Sequence, residues 1–331
     1  MMWLHRFTKV VVGATFLLVI AGGLVTSTGS GLSVPDWPTT YGWSMFTFPF
    51  SKWVGGIVYE HGHRLIATTV GILTILMVVA YRRAESRRWV RRLTLIALGA
   101  IVAQGVLGGI TVLTRLPPAV SSAHAGLAEV FFALTVALAV FTSPGWTKAY
   151  SASAAATQSL AADSRMRHLT VAAIAVVYLQ ILLGAVMRHT GAGLAIPDFP
   201  LMFGRVIPPL DLLASGPVAI HFAHRMGALL VAVVLVAESW RVLRRHGDRP
   251  ELRRPAIVLM ALLVLQIALG GLTVLTAKDV VINTAHLATG ALVFATTVVL
   301  ALRVHRPHFA VGAARAASPA SPVRGMRPTN A

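Results

Sequence analysis

Two pairs of histidines, repeated along the chain at one spacing, carry most of the chemistry that these 331 residues can perform. His63-Arg64 returns as His224-Arg225, 161 positions later, and Ala123-His124 returns as Ala285-His286 at a shift of 162. Cysteine is absent, which excludes disulfides, thiolate-held zinc, iron–sulfur clusters and thiol nucleophiles within the chain. A metal must therefore be held by His, carboxylate or Met. Two imidazoles offered at one depth suit bis-His ligation of haem, each giving a neutral nitrogen to an axial position of an octahedral iron. Zinc ordinarily takes a third or fourth protein ligand, and neither half repeats one. The competing reading is of interfacial histidines that only stabilise packing.

The neighbours of these histidines add to the pattern. Arg64 and Arg225 follow them directly, and each can pair with a haem propionate or extend to lipid headgroups. Three residues before the repeated histidine the halves differ, with Glu60 in the first and His221 in the second. Positions i and i+3 share a helix face, so Glu60 projects on the ligand's side, about one turn away. A carboxylate there can take part in proton or cation chemistry at the macrocycle edge, or cap the helix start, where the dipole favours it. Glu129, one turn beyond His124, has no counterpart in the second half. Gly62, Gly126, Gly227 and Gly290 are small enough to let a flat macrocycle approach. His61 and His189 lie near the same span ends, whereas His5, His168, His246, His305 and His308 sit among arginines and read as solvated surface residues.

The elements that position these groups are membrane spans. The chain is 56% hydrophobic and 12% charged, against about 25% charged in soluble domains. Its net charge of +18 does not indicate nucleic acid, because such a binder needs a charged surface that this chain lacks. Stretches free of Asp, Glu, Lys and Arg run over 10–35, 93–114, 168–187, 255–277 and 280–302, with shorter ones over 65–80 and 226–237. The stretch 121–141 is apolar apart from His124 and Glu129. A span needs about 20 mostly apolar residues, which gives eight. Segments 81–92, 142–167 and 239–254 with both ends of the chain hold 22 of the 29 Lys and Arg, so both termini are expected in the cytoplasm. Reporter fusions after Arg92 and Arg254 are expected to report cytoplasm, and fusions near Thr40 and Arg205 the outside; the opposite result overturns the orientation.

The repeat extends beyond the histidines. Gly29-Ser-Gly-Leu-Ser-Val-Pro-Asp-Trp-Pro38 recurs as Gly191-Ala-Gly-Leu-Ala-Ile-Pro-Asp-Phe-Pro200. Gln104, Gly108-Gly109 and Thr111-Val-Leu-Thr114 recur at Gln266, Gly270-Gly271 and Thr273-Val-Leu-Thr276, again shifted by 162. The chain thus reads as an all-α integral membrane protein of eight helices. They form two tandem four-helix bundles, and because four is even the bundles are related by a pseudo-two-fold axis normal to the membrane. The expected parts are an N-terminal half (1–150), a C-terminal half (151–305) entered through the Ser/Ala-rich linker around Tyr150–Ala162, and a disordered tail (306–331). The Pro-Asp-aromatic-Pro segments read as rigid turns closing over the outer face, braced by Asp36 and Asp198.

Eight spans, the Pro-Asp-Trp-Pro loop, Glu60-His61-Gly62-His63-Arg64 and the paired histidines together resemble the heme A synthase family, over about residues 5–305. That family oxidises the C8 methyl of haem O to a formyl by successive hydroxylation, giving haem A for cytochrome c oxidase. The resemblance implies haem b held by His224 and His286, with Arg225 beside it. It implies substrate haem O between His63 and His124, with Arg64 beside it and Glu60 as the catalytic carboxylate. Haem O synthase and an electron donor are the implied partners besides lipid, homo-oligomers are compatible, and a bacterial plasma membrane is the implied location. Many bacterial members carry a cysteine pair in an outer loop, and this chain departs from them. Two rival readings use the same histidines. One is a two-haem cytochrome that relays electrons, which needs no Glu60 in one half alone; the other is a haem transporter or chaperone, whose haem would be loosely held.

Overall fold

The computed structural model describes residues 2–147, 158 and 160–317. These residues form eight long helices and no β-strand: α1 (Met2–Ser27), α2 (Gly56–Ala84), α3 (Arg88–Leu113), α4 (Pro118–Thr142), α5 (Ser164–His189), α6 (Gly216–Arg245), α7 (Pro250–Leu275) and α8 (Val280–Ala317). All eight are long and apolar enough to cross a membrane. Even α4, the shortest at 25 residues, extends for roughly 37 Å at 1.5 Å per residue, more than the ~30 Å of a hydrocarbon core. Helices satisfy their backbone polar groups internally, which lipid requires. The protein is an all-α, multi-pass membrane protein, as its composition predicts.

Local chemistry explains where the helices begin and end. Proline near the N-terminus opens α4, α6 and α7, where its missing N–H costs no helical bond. Helix α1 starts before the charge-free stretch and stops eight residues short of its end, at Ser27. The reason is Gly29, whose φ of +67° no helix continues, while Ser30 N–H closes back on Val25 C=O at 2.8 Å. Helices α3 and α7 end in one turn built twice, with positive φ at Arg115-Leu116 and at Ala277-Lys278. In both, the second residue donates back to the helix, Leu116 to Thr111 and Lys278 to Thr273, each at 2.8 Å.

The helices pack as two rings of four. Helix α1 meets α2, α2 meets α3, α3 meets α4 and α4 returns to α1; α5 to α8 repeat the circuit. The rings meet through α1 with α8, α4 with α5, and α4 with α8, a pattern that maps onto itself when the halves are exchanged. Each ring has its own apolar core, exemplified by Val70, Met77 and Ala97 in the first and Val177, Leu235 and Leu259 in the second. A third cluster, Phe132 and Val136 of α4 with Ala291 and Ala295 of α8, fills the seam between them.

At the end of the molecule opposite the Pro-Asp-aromatic-Pro loops, Asp163 caps α5 by accepting from Met166 N–H at 3.0 Å. It also binds Arg241 of α6 at 2.6 Å and His246 at 3.1 Å. Burial opposes its charge, but Arg241, Met166 and His246 outweigh that and hold the carboxyl down at about 2. His246 is therefore buried and paired, not solvated as its arginine-rich neighbourhood predicts, whereas His168 is exposed. Most of the linker expected over Tyr150–Ala162 lies outside the described residues, as does the tail from 318. Helix α8 runs on past the expected boundary at 305 to Ala317, with Pro307 inside it.

Candidate functional site

The site is built from helix hairpins. His63, His124, His224 and His286 all stand in the second or third turn of α2, α4, α6 and α8, roughly 10 Å along each helix. Each imidazole lies on a glycine of the helix preceding its own: His63 on Gly22 of α1, His124 on Gly108 of α3, His224 on Gly184 of α5 and His286 on Gly270 of α7. A Cβ placed on those glycines would stand 3.2, 3.0, 2.9 and 3.0 Å from the respective Cε1 atoms. Every one of the four glycines lies five residues before the last residue of its helix. The absent side chain thus makes four equivalent notches at one depth. The members of each pair, His63 with His124 and His224 with His286, lie within electrostatic reach of each other.

These notches correct one expectation. Gly126, Gly227 and Gly290 do not open space for a macrocycle, because Leu182, Gln180 and Gln266 respectively occupy the space beside them. Gly62, between His61 and His63, does face open space. The adjacent repeated glycines serve the loops. Gly109 carries the indole of Trp37, and Gly271 carries the ring of Phe199, 2.6 Å from where a Cβ would stand. Each Gly-Gly pair therefore seats a histidine on one residue and the aromatic of a Pro-Asp-aromatic-Pro loop on the next.

The loops are latched by the residues around the first histidine of each half. The four terminal N–H groups of Arg64 are all engaged: two by the carbonyls of Asp36 and Thr39 (2.8 and 3.0 Å), and two by Val34 C=O and Glu60 Oε1 (both 2.8 Å). Glu60 Oε2 accepts Val34 N–H at 2.8 Å. Glu60 and Arg64 are both buried, at 3% and 9% exposure, so the ion pair is sheltered and hydrogen-bonded on both sides. Glu60 lies beyond the first turn of α2 and caps nothing there. In the second half His221 takes its place, with Nδ1 3.1 Å from Ile196 N and Nε2 3.2 Å from Arg225 Nε; a neutral imidazole has a single accepting nitrogen, so it accepts from one of the two. Arg225 donates to Leu201 and Asp198 C=O at 2.8 and 2.7 Å. Both arginines hold the loop backbone.

Asp36 and Asp198 brace the loops as expected. Asp36 accepts Tyr41 and Gly42 N–H at 2.8 and 2.9 Å, and Asp198 accepts Phe203 and Gly204 N–H at 2.7 and 2.8 Å. Burial works against the Asp36 charge, but these N–H bonds and Thr39 prevail and lower its pKa; the Gly204 bond does the same for Asp198. His61 anchors the longer first loop, with Nδ1 3.1 Å from Thr40 Oγ1 and its ring between Phe48 and Trp53. His189, the last residue of α5, comes within electrostatic reach of His124, and Arg188 ties α5 to α1 through Gly23 C=O and Ser27 Oγ at 3.1 and 2.6 Å. Glu129 is buried on α4, facing Tyr178 of α5.

This donor set fits haem. Among the described residues, no group of three or more His, Asp or Glu could chelate a bare ion. The imidazoles come in twos, are only half-buried, and in His63, His124 and His286 leave Nδ1 without a hydrogen-bond partner among the described residues. Two imidazoles in each half, within electrostatic reach of each other and each seated on a glycine, are a donor set of the kind that holds haem iron. Sequence reasoning missed Gly22 and Gly184, although they are related by the same shift of 162, and it missed Gln180, which contacts His224.

Comparison with known proteins bears on the same residues. A family profile described as cytochrome oxidase assembly protein matches residues 49–298. Heme A synthase of Symbiobacterium thermophilum is 34% identical over 258 residues, which is 77% of this chain and 80% of that protein. Heme A synthase of Halalkalibacterium halodurans is 29% identical over 300 residues, 88% of this chain and 95% of its own. Heme A synthase of Geobacillus kaustophilus is 26% identical over 292 residues, 86% of each.

Proposed function

The chain belongs to the heme A synthase family of cytochrome oxidase assembly proteins, and from that membership we propose that it oxidises the C8 methyl of haem O to the formyl of haem A. In this reading His63 and His124 bind the iron of the substrate in the N-terminal half (1–150). His224 and His286 hold haem b in the C-terminal half (151–305), and the halves are related by a pseudo-two-fold axis along the membrane normal. Both termini face the cytoplasm of a bacterial cell. When bound, haem b supplies one-electron transfer beside the substrate site. Haem O synthase delivers the substrate, and a separate redox partner takes up the electrons that the oxidation releases.

The observation that carries the assignment is the exchange of Glu60 for His221 within an otherwise duplicated latch. In the second half Arg225 holds the loop carbonyls beside a neutral imidazole that accepts only one hydrogen bond, so the latch alone does not require a carboxylate. The negative charge in the first half therefore has another task. Conversion of a methyl and a water to a formyl releases protons and electrons, the electrons passing to the redox partner, and each carboxylate oxygen of Glu60 keeps a lone pair after its bond to Val34 or Arg64. Glu60 takes up such a proton, and its charge favours positive charge developing at the substrate methyl. Arg64 keeps the carboxylate in position, and the loop it holds excludes water from above the histidines. Arg64 and Arg225 thus contribute to binding through the loop rather than by touching a propionate.

The test is co-expression with a haem O synthase followed by chromatography of extracted haems. Haem B together with haem O or haem A is the expected extract. Haem B alone would instead favour an electron relay, and haem O that never becomes haem A a transporter.

A further inference from the structure

Three of the four odd-numbered helices carry a glutamine one turn before the notch glycine: Gln104 before Gly108, Gln180 before Gly184 and Gln266 before Gly270. Positions i and i+4 share a helix face, so each glutamine lies on the side where the histidine seats. Gln104 Nε2 donates to His124 C=O at 3.0 Å and stands 3.3 Å from His124 Nε2. Gln180 Nε2 donates to His224 C=O at 2.8 Å and stands 3.0 Å from His224 Nδ1. Gln266 Nε2 lies 3.2 Å from where a Cβ on Gly290, one turn beyond His286, would stand. The amides of Gln104 and Gln180 bridge the two helices of a hairpin at the histidine, in a low-dielectric interior where such a bond is hard to replace, and Gln266 occupies the equivalent place beside α8.

Helix α1 departs from the pattern. The residue one turn before Gly22 is Leu18, and the counterpart of Gly227, whose missing side chain makes room for Gln180, is Ile66. Leu18 is buried in the apolar core of the first ring, and Ile66 packs against that core. A glutamine–glycine pair in the second half is thus a leucine–isoleucine pair in the first. Gln104 and Gln180 bond the backbone carbonyls of His124 and His224, and at His63 the corresponding position holds an apolar side chain that can make no such bond.

We propose that Gln104, Gln180 and Gln266 are positioning residues that fix His124, His224 and His286, and that Leu18 leaves His63 as the ligand that lets go. Substrate and product then exchange at the N-terminal site by detachment from His63, while both ligands of the other site stay fixed. This rests on the assignment of halves made above. A partner that orients a ligating histidine changes metal affinity about 10–100-fold, so a difference at one histidine of four suffices to separate an exchanging site from a permanent one.

The experiment exchanges the two pairs in full-length protein co-expressed with haem O synthase and purified in detergent. In Gln180→Leu/Gly227→Ile, haem b is expected to pass to an excess of a haem-scavenging globin at least about fivefold faster, the loss of one hydrogen bond, with a new high-spin component in the spectrum. In Leu18→Gln/Ile66→Gly, the haem O plus haem A retained through purification is expected to rise, with the haem b spectrum unchanged. A wild-type transfer rate in the first variant overturns the proposal, and so does unchanged retention in the second, which decides the matter even if the first does not fold. His224→Ala separates this from the underlying assignment. If that variant keeps haem b, the assignment of halves fails; if it loses haem b while the Gln180 variant keeps the wild-type rate, only the tether fails.

Discussion

Replacing His224 or His286 by alanine is expected to strip the tightly held haem b, leaving purified protein with its haem b content lowered by roughly tenfold or more. Losing even a partner of a metal ligand costs about 10–100-fold in affinity, and here the ligand itself is removed. The neighbouring residues offer no substitute. His221 is buried and bonded to Ile196 and Arg225, and Gln180 binds the histidine that would be gone. The matching changes at His63 or His124 are expected to leave haem b in place and abolish haem A. Optical spectra and pyridine haemochrome assays of the four purified variants read both outcomes. A normal low-spin haem b spectrum in His224→Ala would reverse the roles given to the halves.

Glu60→Gln is expected to bind haem and still lower haem A formation by on the order of 100-fold or more, the scale of a lost acid–base group. The amide keeps the size of the side chain, but only its oxygen accepts hydrogen bonds. It can satisfy Val34 N–H or Arg64, not both, so a stability loss of about 1–3 kcal/mol is expected as well. Truncation to alanine is a poorer test, since removing one partner of a buried ion pair costs about 3–5 kcal/mol and would confound folding with chemistry. Glu60→His gives the sharper comparison because the second half already builds its latch with His221. That variant is expected to fold with its loop held, bind haem and make little haem A, with an oxidised intermediate accumulating if the second stage is the more sensitive. Chromatography of haems extracted per folded molecule decides it. Wild-type haem A yield in either variant would assign Glu60 to the latch alone and favour an electron relay.

How much of this was legible before folding can be followed residue by residue. The histidine pairs, the Glu60–His221 difference, the Gly-Gly pairs and the bracing aspartates all stand in segments repeated at a shift of 161 or 162. Duplication writes the site twice, so a functional difference appears as a mismatch between copies. The same device holds the exchange of Gln180 for Leu18, but its meaning depends on the fold. A glutamine within an apolar span has no sequence neighbour that reveals its partner, and His224 is 44 positions away. The surroundings of His246 misled for the converse reason: flanking arginines signal solvent, yet Asp163, 83 positions earlier, buries it.

The sequence by itself determined the eight spans, their duplication and which residues could ligate a metal, because hydrophobic length and residue type are local properties that lipid and coordination chemistry read directly. Only the tertiary structure decided what Arg64 and Arg225 hold, which glycines face the histidines, and that Gln104 and Gln180 bond His124 and His224. Those facts depend on which helix faces which and at what depth. A notch in α1 has meaning only once His63 of α2 lies against it, and a guanidinium with several possible partners is assigned only when a loop brings its carbonyls within 3.0 Å.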